Sequence, residues 1–314
     1  MDVACVLCGK DEATLSAQGY DFEYDSCSNV FDFVRCNFCG HEYLNPRPVA
    51  STLDTIYPPD YYSFTGTTNR LVARIQRFWE GGKVRLYRRF LGEGRRRILD
   101  VGCGDGRFLG LLRDFGAADW EMVGLEFDQD AVATCREKGF EAHSERIEDF
   151  AQRQDRKESF DAILMLQLIE HVEDPGEICT RVETLLRPGG LFVIETPNLG
   201  GLDYRIFSGR VWGHYHFPRH WHLFSRHSLT EMLLARNFEI VHAEYLISTS
   251  SWIISHRNFF KDRGWPRPVW SFFSYQNPLL LALAVLIDTA RSRLGLETSN
   301  QRMIARKKSG GRVE

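Results

Sequence analysis

The chain has 314 residues, 43% hydrophobic and 26% charged, with net charge −3, 26 Gly, 11 Pro and 8 Cys. These values exclude collagen-like, disordered and coiled-coil chains, and the length holds one large α/β core plus something smaller, since single cores stop growing near about 250–300 residues. A near-neutral total argues against a dedicated nucleic-acid binder, whose binding domain is usually basic. The opening MDVACVLCGK has no basic n-region or long apolar core, and the longest apolar run, Leu279 to Ile287, is too short for a bilayer. A cytoplasmic chain is expected.

In a reducing compartment, cysteines serve as metal ligands or buried thiols more often than as disulfides. Cys5-Val-Leu-Cys8-Gly9 and Cys36-Asn-Phe-Cys39-Gly40 have the form of two zinc-knuckle turns. Together they offer four thiolates to a structural Zn2+, with disulfides or unrelated free thiols as the alternative. Cys27, Cys103, Cys135 and Cys179 follow no pairing pattern and read as buried residues. Residues 1–48 are thus a candidate ribbon.

Charge is uneven along the chain. Residues 1–70 hold ten acids and four bases, whereas 71–97 hold nine bases and two acids. Leu71, Ile75, Phe78, Trp79, Leu86, Phe90 and Leu91 recur near helical spacing, so 49–94 is expected to be a linker and a basic amphipathic helix. Such a helix either packs on the core by its apolar face or touches anionic lipid or a phosphorylated substrate.

From Arg97 the pattern alternates. Strands are predicted at 97–101, 122–126, 140–143, 160–166 and 191–195, with helices at 107–115, 129–138 and 176–186 between them. A helix at 228–237 and strands at 238–247 and 302–306 follow. This βαβ rhythm predicts an α/β, Rossmann-like sheet with helices on both faces, binding its ligand at the carboxyl ends of the strands. After the first of these strands stands Asp100-Val-Gly102-Cys103-Gly104-Asp-Gly106, which departs from the dinucleotide spacing G-x-G-x-x-G. Glu126, 24 residues beyond Gly102, ends the next strand, where a carboxylate can accept both hydroxyls of a ribose.

The blocks ILDVGCGDGRFLGLL (98–112), VGLEFDQDAV (123–132), FDAILMLQLIEHVEDP (160–175) and LLRPGGLFVIETPN (185–198) resemble class I S-adenosylmethionine-dependent methyltransferases. That resemblance implies a seven-stranded sheet over a core at 95–247. It also implies Asp100, Gly102 and Gly104 near the methionine part of the cofactor, with Cys103 and Gly106 in the same loop. It further places Glu126 on the ribose, Phe127 and Asp128 beside the adenosine, Ile147 and Glu148 at the adenine, and Leu166 and Gln167 facing the sulfonium. Glu170-His171 is similar to the branch that includes ubiquinone O-methyltransferases. The run CNFCGHEYLNPRP (36–48), with Tyr57 to Tyr62, resembles a bacterial subgroup joining a zinc ribbon, this core and a histidine-rich segment. Its members often build surface polysaccharides, glycolipids or modified small molecules.

An alcohol or phenol acceptor must lose a proton, and histidine has the matching pKa. Residues 212–224 hold His214, His216, His220 and His222 within nine residues. The resemblance makes Arg219, His220 and His222 the substrate-side residues, with His220 the expected base, while His171 either helps position the acceptor or caps the start of the next helix. Alternatively the segment is a lid whose histidines cap backbone groups, or a metal site, although no carboxylate lies within it. Residues 248–300 form an aromatic and apolar insertion (a lid, dimer face or membrane contact), and 301–314 a last strand and tail. A methyltransferase for a small-molecule, sugar or lipid-linked acceptor is expected, in the cytoplasm or peripheral at the inner membrane face. A zinc-ribbon RNA methyltransferase and a non-catalytic scaffold are the alternatives, and the acidic 1–70 segment disfavours RNA.

Overall fold

The computed structural model describes residues 1–57 and 70–310. Outside the described residues lie the run after Tyr57 up to Tyr62, and the side chains of Leu71, Ile75, Phe78 and Trp79. The N-terminal strands are β1 (Ala13–Gly19), β2 (Phe31–Cys36) and β3 (Glu42–Leu44), followed by α1 (Leu53–Ile56) and the basic helix α2 (Arg70–Leu91). Then come β4 (Arg96–Val101), α3 (Arg107–Phe115), β5 (Trp120–Glu126), α4 (Gln129–Glu137), β6 (Glu141–Ser144), α5 (Ile147–Phe150), β7 (Phe160–Leu166), α6 (Pro175–Leu185) and β8 (Leu186–Pro197). The C-terminal part holds α7 (Leu202–Phe207), β9 (His222–Leu223), α8 (Arg226–Leu234), β10 (Phe238–Leu246), α9 (Thr249–Asp262), α10 (Arg267–Ser271), α11 (Pro278–Arg293) and β11 (Asn300–Lys307).

Local chemistry sets several of these boundaries. Asp128 caps α4 by accepting from the backbone N–H groups of Asp130 and Ala131, and Asp174 caps α6 through Gly176 and Glu177 with Pro175 in the first turn. Ser225 and Ser228 form a reciprocal box at the start of α8. Such side-chain acceptors satisfy donors that the first helical turn leaves open.

Seven strands form one sheet in the order β10-β11-β8-β7-β4-β5-β6. Strands β4 to β8 run parallel, and β11 pairs antiparallel with both β8 and β10. Strand β7 alternates Phe160, Ile163 and Met165 into one buried cluster with Ala162 and Leu164 into another. Both faces are therefore covered, as a nearly all-apolar parallel strand requires. One cluster packs α5, α6 and α8 on the sheet; the other packs α2, α3 and α4.

Helix α2 is held to its face by Val84, Tyr87 and Leu91 and by a buried ion cluster. Lys83 Nζ reaches Glu195 Oε2 at 2.7 Å, Tyr87 donates to Glu195 Oε1 at 3.2 Å, and Arg302 clamps Glu195 and Glu244. Burial alone would raise the Glu195 pKa, but the Lys83 and Arg302 charges hold it down at about 2. Arg77 pairs with Asp114, Arg88 with Glu93, and Arg95, just beyond the helix, with Glu121, so much of the basic stretch is neutralised within the fold.

A second, antiparallel sheet has the order β1-β2-β3-β9. Its last strand comes from the histidine segment, with Tyr43 opposite His222 and Glu42 opposite Leu223. A third apolar cluster joins Phe22, Phe33 and Leu44 of the N-terminal segment to Trp212, Tyr215, Phe217 and Trp252. The ribbon is thus built into the same half of the molecule as the histidine segment.

Candidate active site

The glycine loop after β4 turns through three left-handed residues, Gly102, Gly104 and Gly106, with φ of +77°, +52° and +79°. Two of them are also sterically closed. A β-carbon on Gly106 would lie 2.8 Å from Cys135 Sγ, and one on Gly102 would lie 3.0 Å from Leu168. Gly104 has nothing within 4 Å of that position, so the loop is open there to a ligand. Glu126, at the end of β5, accepts from Gly104 N–H at 3.0 Å through Oε2. Its Oε1 accepts from Phe127 and Asp128 N–H at 2.7 and 3.2 Å. One carboxylate thereby links the loop after β4 to the loop after β5.

Asp100 is 3% exposed, and among the described residues no hydrogen bond reaches its carboxylate. Burial, then Cys135 and Glu126, push its pKa up to about 8. A buried acid that no described residue hydrogen-bonds, beside an open glycine loop, suits a cationic ligand. S-adenosylmethionine carries an ammonium and a sulfonium, so the residues fit it.

A cavity of about 150 Å³ opens beside this loop. Gly102, Glu126, Phe127, Ile147 and Glu148 line it, together with Leu125, Met165, Leu168 and Val172, which sequence reasoning did not assign. Asp100, Cys103, Gly104, Gly106, Asp128, Leu166 and Gln167 are not among its lining residues. Cys103 contributes its side chain to the core between the sheet and α3 and α4, and Asp128 serves as the α4 cap. Gln167 sits at φ +58° and donates to Asn300 Oδ1 at 3.1 Å.

The histidines gather beyond β7. His171 lies between the cavity-lining Leu168 and Val172, and its ring is centred 4.6 Å from that of His220 and 6.3 Å from that of His216. His171 Nδ1 is 3.0 Å from the Arg219 carbonyl and 3.1 Å from Tyr57 Oη. A carbonyl only accepts, so Nδ1 carries the proton and Nε2 keeps its lone pair. Burial, then His216, hold the His171 pKa down at about 3, so the ring is neutral. His220 is likewise buried, Nδ1 donates to the His214 carbonyl at 2.7 Å, and burial holds its pKa well below the usual value. Glu170, buried and raised to about 8 by burial, accepts from Thr196 Oγ1 at 2.9 Å. Glu170, His171 and His220 place one donor atom each within 4.8 Å of one another, so the fold supplies the carboxylate missing from the histidine segment.

Two expected substrate-side residues serve other ends. Arg219 is completely buried and holds Asp21 through both guanidinium ends at 3.1 and 2.8 Å, while stacking on Tyr24 at 4.4 Å. Its charge is matched by a carboxylate 198 residues away, which no local pattern reveals. His222 Nδ1 meets His41 Nε2 at 3.1 Å, and its Nε2 lies 3.4 Å from the Glu173 carbonyl, so both nitrogens are engaged within the ribbon junction.

At the ribbon tip, Gly9 and Gly40 adopt left-handed backbone behind each cysteine pair, at φ +70° and +71°. The four thiols of Cys5, Cys8, Cys36 and Cys39 lie within 4.8 Å of one another, with Cys5–Cys39 and Cys8–Cys36 both at 3.5 Å. Those separations are far longer than a disulfide and close to the ~3.8 Å between thiolates around a tetrahedral zinc. A larger cleft, about 410 Å³, lies between the ribbon and the loops after β8 and β9, lined by Arg35, Tyr204, Arg205, Arg226, His227 and Glu297 among others.

Residues 71–243, more than half of the chain, match a methyltransferase domain family. The chain belongs to the class I S-adenosylmethionine-dependent methyltransferases. The methyltransferase is 33% identical over 105 residues to a ubiquinone biosynthesis O-methyltransferase of Bradyrhizobium sp. (strain ORS 278), covering 32% of this chain and 40% of that protein. It is 31% identical over 103 residues to an S-adenosylmethionine-dependent methyltransferase of Mycolicibacterium smegmatis, covering 33% and 38%. The chain thus spans about two fifths of the length of these curated relatives. Among solved structures, a chain from the Haloferax volcanii complex of the Trm112 methyltransferase activator with a methyltransferase aligns with TM-score 0.50 at 15% identity, covering 76% of this chain and 93% of that one. An Archaeoglobus fulgidus S-adenosylmethionine-dependent methyltransferase aligns with TM-score 0.49 at 20% identity, covering 78% and 97%.

Proposed function

We propose that this methyltransferase methylates an oxygen of a small-molecule, sugar or lipid-linked acceptor, with a histidine taking the acceptor's proton. Bound S-adenosylmethionine supplies an electrophilic methyl group on a sulfonium. Asp100 would take the cofactor's ammonium, Glu126 its ribose hydroxyls, and Phe127, Ile147 and Glu148 would border the adenine. His171 carries the base role in this reading. Its Nδ1–H is fixed on the Arg219 carbonyl, its Nε2 lone pair is unprotonated, and Leu168 and Val172, three residues before it and one after, line the cofactor cavity. His220 is a positioning residue: its Nδ1–H is tied to the His214 carbonyl, and its ring packs edge-on against His171.

The four ribbon thiolates would hold a structural Zn2+ in the reducing cytoplasm, stiffening the junction where Asp21 and His41 meet the histidine segment. The cation-lined cleft suits the polar or anionic part of a sugar or lipid-linked acceptor. Nucleic acid suits it less, because the N-terminal segment that forms its other wall is acidic overall. Methyl transfer from tritium-labelled cofactor into a bacterial extract, split into lipid, water-soluble metabolite and RNA fractions, tests the reading. Label is expected in the lipid or metabolite fraction and is expected to be lost in His171→Ala with cofactor binding intact. Nuclease-sensitive label would sink the acceptor assignment, and full turnover by His171→Ala would sink the base.

A further inference from the structure

Helix α11 has a surface that lines neither the cofactor cavity nor the larger cleft. One side packs on α9 and β10, burying Ala284 and Asp288. The other side presents Leu279, Leu283, Leu286 and Leu294, which are 78%, 54%, 66% and 74% exposed, with Ala282 and Ala290 between them. Their spacing of four, three and eight residues puts them on one helical stripe about 22 Å long. Helices that are apolar all round are normally covered all round. Asn277 caps α11 and reaches back to the Phe272 carbonyl, so the exposed Phe272 sits at the N-terminal end of the stripe.

The exposed charges within this stretch are of one sign. Between Arg263 and Leu296 the exposed charged residues are Arg263, Arg267 and Arg293. The one acid of that stretch, Asp288, is buried and accepts from Ser248 N–H at 2.7 Å and Trp252 Nε1 at 2.9 Å. A second copy docked through this face about a two-fold axis would meet the same arginines that it carries itself. An anionic bilayer instead offers apolar cover for the leucines and phosphates for the arginines. Trp265 and Phe272, 49% and 57% exposed, are the residue types that settle at a headgroup boundary. No helix among the described residues is long and apolar enough to cross a membrane, so contact would be lateral.

We propose that the exposed face of α11 docks the methyltransferase onto anionic lipid bilayers. The docking is independent of the acceptor's identity and of the histidine base. The test is flotation of the zinc-loaded full chain with phosphatidylcholine vesicles that contain or lack phosphatidylglycerol. Co-flotation is expected with the anionic vesicles only, weakened at high salt. Leu283→Glu with Leu286→Glu should lower the partition coefficient by about tenfold or more, since two exposed apolar anchors are lost. Arg263→Ala with Arg267→Ala and Arg293→Ala should remove the preference for anionic vesicles. Cofactor binding by each variant confirms that it is folded. No flotation of the wild-type chain, or flotation indifferent to the leucine changes, overturns the proposal. It is equally overturned by a wild-type dimer that the leucine changes convert to monomer without any vesicle binding.

Discussion

Arg219 and Asp21 form a fully buried, doubly hydrogen-bonded ion pair that ties the N-terminal segment to the histidine segment. Replacing Arg219 by Met leaves Asp21 with only Ser26 and the neighbouring backbone N–H donors as partners in an apolar site. Breaking a buried pair on one side costs about 3–5 kcal/mol. With an unfolding entropy of roughly 2.1 cal/mol/K per residue, a chain of 314 residues should lose about 5–8 °C of Tm. The double variant Asp21→Asn, Arg219→Met should lose less than the sum of the single changes, because neither charge is then stranded. Thermal unfolding by circular dichroism at pH 7 reads both quantities. Burial alone would raise the Asp21 pKa, but hydrogen bonds from Arg219 and Ser26 and the Arg219 charge hold it well below the usual carboxylate value. The pair's contribution is therefore complete above the ordinary carboxylate pKa and is lost progressively as pH falls below it. A Tm change under 2 °C (about 1 kcal/mol) for Arg219→Met, or strictly additive losses in the double variant, would refute the staple. A large fall in turnover of the folded variant without loss of stability would return Arg219 to the substrate side.

Three further outcomes follow from the site. Glu126→Ala should weaken cofactor binding by about 100-fold or more by calorimetry, since two hydrogen bonds to a charged acceptor are each worth about 1.5–3 kcal/mol; a change under threefold would remove Glu126 from the ribose. Because burial holds His171, His214 and His220 below the ordinary imidazole pKa, the unfolded chain takes up protons that these rings refuse. Stability should fall as pH drops below about 6.5, and the acid limb of turnover should lie below the imidazole range, as Tm and rate profiles between pH 7 and pH 5 would show. Elemental analysis should find one zinc per chain, lost on Cys36→Ser with Cys39→Ser; a second equivalent removed by Glu170→Gln would make Glu170, His171 and His220 ligands instead of a base cluster.

The sheet was legible because its signals are local. Strand 160–166 and helix 107–115 appear where apolar runs, glycines and spacing place them. Strand β8 starts at Leu186, earlier than the expected Leu191, because Pro188-Gly189-Gly190 is an irregular stretch within the strand, exposed at Pro188 and buried again by Gly190, and not a separating turn. The cofactor loop was legible for the same reason, as an acid and three glycines within seven residues. The histidine segment was not. What Arg219, His216 and His222 do depends on Asp21, Glu23 and His41, brought up from the ribbon some 180 to 200 residues earlier. Nor does composition show which leucines of α11 face outward, since both of its faces are apolar.

Methyl transfer from S-adenosylmethionine at the Asp100–Glu126 site can be read in solution. Its most direct test is release of S-adenosylhomocysteine by the purified zinc-loaded chain supplied with a lipid and small-molecule extract from a bacterium. Extract-dependent release is expected, falling at least about tenfold in Glu126→Ala and Asp100→Asn, each assayed below the cofactor's Kd. Tight cofactor binding with no extract-dependent release, or release unchanged in both variants, would contradict it.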